Sequence, residues 1–134
     1  MVTRYSSPFV METVLIVALC GAIGCAARYC VSGWVYDLTG AGFPYGTLAV
    51  NVAGAFLVGL LMEAGARSTV IPPNVRIALV IGLLGGLTTF SSFSYETFKQ
   101  IEGGHFLPAT ANILASVFLC LLFTWLGIFA ARHL

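Results

Sequence analysis

Three glycines, five hydroxyl residues and two phenylalanines crowd into residues 82–94 as Gly82, Gly85, Gly86, Thr88, Thr89, Phe90, Ser91, Ser92, Phe93 and Ser94. The surrounding stretch, residues 77–95, has no ionisable side chain and is long enough to cross a bilayer, which takes about 20 residues. A helix in lipid must satisfy its own backbone. A glycine- and hydroxyl-rich interruption at that depth therefore belongs where protein or a water-filled path covers it. Phe90 and Phe93 lie three apart and share one helix face. That face is either core packing or a lining in which ring edges, which carry partial positive charge, stand beside the hydroxyls of Thr89, Ser91, Ser92 and Ser94. Ring edges and uncharged donors together make a surface suited to a small anion.

Two further polar groups sit at membrane depth. Asn51 lies in the run Gly46-Thr47-Leu48-Ala49-Val50-Asn51. An amide in hydrocarbon needs partners, so Asn51 is either glue between helices, worth about 0.6 kcal/mol, or a donor on an ion path. Arg28 follows the small residues Gly21, Gly24 and Cys25. An unpaired charge at the bilayer centre costs at least about 2.5–3.5 kcal/mol, so Arg28 either pairs or snorkels to an interface, and in both cases it would attract anions. Glu96 follows the Phe/Ser run directly, where it could guard a pore mouth. Glu12, Glu63 and Glu102 fall at segment ends, where interfacial solvation suffices. Cys20, Cys25, Cys30 and Cys120 show no CxxC spacing and read as small packing residues rather than ligands or disulfides. His105 and His133 flank the last segment as interfacial groups. The sequence offers no nucleophile–base pair, metal cluster or phosphate loop, so no enzyme activity is expected.

The elements that carry these residues follow from composition. Of 134 residues, 59% are hydrophobic and 8% charged, against about 25% charged in soluble domains. The net charge of +1 gives no reason to expect a nucleic-acid partner. Apolar segments at 13–36 (interrupted by Arg28), 42–62, 77–95 and 106–131 each approach or exceed the roughly 20 residues of a span. The expectation is an all-α membrane protein: one four-helix transmembrane domain over residues 1–134, both termini on one side. The first apolar segment is too long for a signal-peptide core of about 7–15 residues. Pro72-Pro73 is a rigid start for the third helix, and Gly103-Gly104 a turn before the fourth. Within helix two, Ala49/Ala53 and Ala55/Gly59 suggest close packing. No loop has room for a nucleotide-binding unit, so transport is passive or driven by an ion gradient. With termini inside, the inner side collects Arg4, Arg67, Arg76 and Arg132, and the outer side Lys99 and, if it snorkels, Arg28. So small a bias leaves insertion in both orientations open.

At this point the chain resembles the small dual-topology fluoride channels, the Fluc family, over nearly its whole length. The resemblance rests on Gly21, Gly24 and Arg28 in helix one, on Gly46-Thr47-Leu48, Val50 and Asn51 in helix two, and above all on Gly85-Gly86-Leu87-Thr88-Thr89-Phe90-Ser91-Ser92-Phe93-Ser94 with Glu96 in helix three. It implies an antiparallel homodimer in the cell (inner) membrane, with two narrow pores that export fluoride passively. By similarity, Asn51 donates to the ion, Phe90 and Phe93 form an aromatic box, Ser92 and Ser94 belong to a hydroxyl track, and Glu96 stands near a pore mouth. It further implies a break in helix three, where backbone carbonyls of Gly85 and Thr88 hold a structural sodium ion on the dimer axis. Ser116 matches a pore-side serine. Cys120 stands where a second serine is common, and Asn112 where an aromatic or histidine is common, so the helix-four contribution departs from the pattern. Physical reasoning agrees: four helices enclose little volume, and a two-fold pairing buries one patch against itself. The rival expectation is a proton-coupled small multidrug exporter. That mechanism needs a carboxylate deep in the first helix, and residues 13–27 contain no acid.

Overall fold

A computed structural model describes residues 8–67 and 71–134 of the chain. Arg4, counted in the charge balance, lies outside the described residues. Four helical spans account for nearly all of them: α1 (Pro8–Thr39), α2 (Tyr45–Arg67), an interrupted third span (Pro73–Glu102) and α6 (Phe106–His133). All four are long and apolar enough to cross a membrane, and no strand occurs among the described residues. The third span is built of α3 (Pro73–Ile77), a π-helical segment (Ala78–Leu84), α4 (Gly85–Leu87) and α5 (Phe90–Glu102).

Helix ends follow from local chemistry. Gly40, at φ 77°, ends α1 with its N–H on the Tyr36 carbonyl at 2.8 Å, the left-handed cap that glycine adopts without strain. Pro72 caps α3 with Pro73 in its first turn, and the Arg76 N–H reaches the Pro72 carbonyl at 3.0 Å. Gly103 and Gly104 make the expected turn before α6. The third span runs past Tyr95, where the sequence suggested an end, because α5 continues as an amphipathic helix to Glu102.

Packing rests on small residues at two seams. The most extensive joins α2 and α6, where Gly59 faces the Thr124 backbone and Gly127 faces the backbone of Phe56 and Leu60. The expected close packing of α2 thus falls on Gly59, while Ala53 is exposed. The second seam sets α1 against the first half of the third span. A methyl group on Gly24 would strike the Leu83 carbonyl, and one on Gly86 would lie 2.5 Å from the Gly21 carbonyl oxygen. Large apolar side chains cover the outside, Leu19, Trp34, Phe118 and Leu121 among them, as a surface facing lipid requires.

Three side-chain expectations are corrected. Glu63 does not rely on interfacial water alone: Arg132, on the adjoining end of α6, donates to it at 2.8 Å. Glu102 pairs with Lys99 one turn earlier at 2.7 Å. Cys25 and Cys30 do not pack inside the protomer but are exposed on α1, whereas Cys20 and Cys120 are half-buried, and all four thiols are free.

Candidate functional site

The helical ladder of the third span stops at two threonines. Thr88 (φ −84°, ψ 156°) and Thr89 (φ −153°, ψ 122°) are extended. Such a break inside a bilayer must find partners for the peptide groups it frees, and Asn51 of α2 supplies them. The Thr89 N–H donates to Asn51 Oδ1 at 2.7 Å, and Asn51 Nδ2 donates to the Thr89 carbonyl at 2.9 Å. The amide thus pairs with the Thr89 peptide as a neighbouring strand would. The threonine hydroxyls add further bonds. Thr88 Oγ1 donates to the Leu84 carbonyl at 2.9 Å, which also keeps its ladder bond from the Thr88 N–H. Thr89 Oγ1 accepts from the Ser92 N–H at 3.1 Å, an N-cap on α5, and lies 3.1 Å from both Ser91 Oγ and Ser92 Oγ. Arg28 is paired at this same point, its Nη1 donating to the Thr88 carbonyl at 3.4 Å. The Gly85 carbonyl loses its usual helical partner, because the Thr89 N–H is taken by Asn51.

On the far side of α5 a second polar chain runs through the interior. Thr97 Oγ1 donates to the Phe93 carbonyl at 2.7 Å, Asn112 Nδ2 to Thr97 Oγ1 at 2.8 Å, and Ser116 Oγ to Asn112 Oδ1 at 3.4 Å. Asn112, Thr97 and Ser116 are all buried, and the Asn112–Thr97 bond holds α5 on α6.

Two cavities flank the break and a third lies further along α5. The first, about 520 Å³, brings Asn51, Phe90, Phe93 and Ser116 together, with Cys120 also on its wall. The two rings lie 5.3 Å apart at 49°. Phe90 is 78% exposed, so half of the aromatic pair faces out of the protomer. The second, about 1040 Å³, joins Arg28, Thr47, Ser92 and Glu96. Thr89 belongs to both walls. The third, about 410 Å³, shares Tyr36 and Glu96 with the second and adds Lys99, Gln100 and His105. Two of the candidates stay apart: Ser94 is exposed and donates back to the Phe90 carbonyl at 2.9 Å, and Asn112 lines none of the three cavities.

Sequence reasoning gave no role to Tyr36, Thr47, Thr97 or Gln100. The available signal was spacing on α5. Thr97 follows Phe93 by four residues and Gln100 follows Glu96 by four, which continues the polar face past the apparent end of the span.

These features define a multi-pass membrane protein whose broken third span places polar groups on the walls of largely apolar cavities between its helices. Residues 15–128 match the family model for CrcB-like protein, Camphor Resistance (CrcB). The chain belongs to this family. It is 62% identical over 124 residues to the "Fluoride-specific ion channel FluC" of Geobacter metallireducens, which covers 92% of this chain and 100% of that protein. The proteins of the same description from Geotalea daltonii and Geobacter sulfurreducens are 59% and 60% identical over the same coverage.

Proposed function

We propose that this chain is a passive, fluoride-selective channel that exports fluoride across the cell (inner) membrane, and not an enzyme. The observation that carries this reading is the cavity in which the Asn51 amide stands beside the tilted Phe90–Phe93 pair. Asn51 Nδ2 spends one of its two protons on the Thr89 carbonyl and keeps a second donor for an ion. Ring edges and hydroxyls complete a lining without formal charge, one that binds an anion weakly enough to release it. The relatives named as fluoride-specific channels support the choice of fluoride. The exporter alternative has no support from them, and the acid-free stretch of α1 counts against it.

The working unit is an antiparallel homodimer with two pores. Phe90 is exposed beside the cavity, and Gly85 is exposed, an added Cβ there meeting only the Val80 carbonyl oxygen at 3.8 Å, so a second copy would complete both surfaces. Antiparallel pairing needs both orientations in the membrane, which the small Lys/Arg imbalance permits. A structural sodium ion fits the break in its donor set: the Gly85 carbonyl lacks its helical partner, and the Thr88 carbonyl is held only by the long 3.4 Å bond from Arg28. Freed carbonyls of an unwound span are suitable sodium ligands. When bound, the ion would neutralise these dipoles and join the two copies.

Fluoride efflux from liposomes holding the purified protein, with chloride as control, tests the reading. Fast fluoride and negligible chloride flux is the expected result, and equal fluxes would end it. A cysteine introduced near the C-terminus, in a background lacking the native cysteines, should label from both sides of the membrane. One-sided labelling would rule out antiparallel pairing. Sodium removal during purification should weaken the dimer, and indifference to sodium would remove the cation from the scheme.

A further inference from the structure

Two hydroxyl groups from different helices converge on one carboxylate oxygen at the edge of the second cavity. Tyr36 of α1 donates to Glu96 Oε1 at 3.1 Å, and Thr47 of α2 donates to the same atom at 2.8 Å. The other oxygen, Glu96 Oε2, is buried without a hydrogen-bond partner, and so is Gln100 Oε1 one turn further along α5. Tyr36 and Glu96 are also the shared wall of the second and third cavities. Arg28 lies on one side of that wall. Lys99, itself paired with Glu102, lies on the other.

An ionised carboxylate only accepts hydrogen bonds, and so does a halide ion. A pair of O–H donors aimed at a carboxylate oxygen is therefore equally suited to a small bare anion, and charge-assisted bonds of this kind are roughly twice as strong as neutral ones. Glu96 is fastened by one oxygen only. A buried oxygen left unpaired is costly and calls for an explanation. A carboxylate kept as a fixed strut would have both oxygens satisfied, whereas a half-fastened one is easily displaced.

We propose that the Tyr36 and Thr47 hydroxyls form a binding position for a small dehydrated anion, occupied in this structure by the Glu96 carboxylate, which must swing aside before an anion passes between the second and third cavities. The inference rests on the anion-channel reading and adds to it a position on the route and an internal competitor. Glu96 is here a tethered stand-in for the permeant ion. Repulsion from an arriving anion and the unpaired Oε2 both favour its release.

The test is fluoride binding to the purified, assembled protein, followed by ¹⁹F NMR titration, which needs no conduction. Glu96→Ala leaves the two hydroxyls vacant and should bind fluoride at least tenfold more tightly at one position per chain. Adding Tyr36→Phe in the same background should abolish that gain. Equal binding by the wild type and Glu96→Ala overturns the proposal and makes the Tyr36–Glu96–Thr47 cluster a structural latch. A gain that survives Tyr36→Phe overturns it as well. Should the alanine variant lose the wild-type elution profile, Glu96→Ser, too short to reach α1 and α2, carries the same expectation. A wild type that conducts no fluoride in liposomes would sink the channel reading alone, since the titration reports on the site whether or not ions cross.

Discussion

The two halves of the third span meet the rest of the chain in opposite ways. Before the break, contact with α1 is backbone against backbone, made possible by Gly24 on one side and Gly82 and Gly86 on the other. After it, α5 is held by polar side chains: Glu96 by Tyr36 and Thr47, and Thr97 by Asn112. The first half is positioned by what its residues lack, the second by side-chain hydrogen bonds to the neighbouring helices. An added atom should therefore break the first half and a lost partner the second. The half positioned by missing atoms is a rigid base, while the cavities gather around the half that carries exchangeable hydrogen bonds.

The largest expected effect comes from Gly86→Val. Its new Cβ would lie 2.5 Å from the Gly21 carbonyl oxygen and 3.0 Å from the Cys25 nitrogen, and backbone cannot step aside as a side chain can. The cost should reach the upper end of the ~1–3 kcal/mol of overpacking or exceed it, and be seen as loss of the monodisperse elution peak. A folded, active variant would mean that the seam can open.

Asn51→Leu should come next. It strands both the N–H and the carbonyl of Thr89, at about 1–3 kcal/mol each, so the melting temperature and the fluoride flux should both fall, the flux at least tenfold. Asn51→Asp keeps the acceptor for the Thr89 N–H and loses the donor to its carbonyl, and should sit between the two in melting temperature. An unchanged melt in both would show that the break holds itself together.

Phe90→Ile and Phe93→Ile separate function from packing. Phe90 is 78% exposed in the protomer, so its loss should cost the protomer fold little while flux drops tenfold or more. Phe93 is more enclosed and should cost some stability as well. Full flux in both variants would return the rings to a packing role.

The smallest effect on the protomer is expected at Gly85. A Cβ there would meet nothing closer than the Val80 carbonyl oxygen at 3.8 Å, so Gly85→Ala should change its stability by no more than about 1 kcal/mol. In the proposed dimer, Gly85→Leu should shift the elution toward monomer. A dimer that tolerates leucine would place the two-fold contact elsewhere.

Much of this was legible in the chain. Charge spacing located the four spans, and the glycine–hydroxyl run located the break. The break falls at Thr88–Thr89, at the end of the glycine run, where the Asn51 amide takes the N–H and carbonyl of Thr89 and the Thr89 hydroxyl caps α5. Local pattern hid the partners. Asn51 meets a residue 38 positions away, and Glu96 meets hydroxyls 49 and 60 positions away, and nothing in composition ties such residues together. Glu96 and Lys99 also disguised the length of the third span, because a charged turn looks the same whether a helix stops or leaves the bilayer. The π-helical segment had no signal at all, being apolar throughout apart from Gly82.

That segment carries a consequence for how this span can vary. In it the Gly85 N–H reaches back five residues to the Val80 carbonyl. An ordinary helix closes each bond over four residues, so the fifth is absorbed in the wide turn and the helix on either side keeps its azimuth. Gly86 therefore meets Gly21 with or without the surplus residue. Deleting one residue ahead of Gly82 would restore regular winding and leave the Gly86 face on α1. The span can exchange apolar residues there and can also shed one, as a belt with a slack link can.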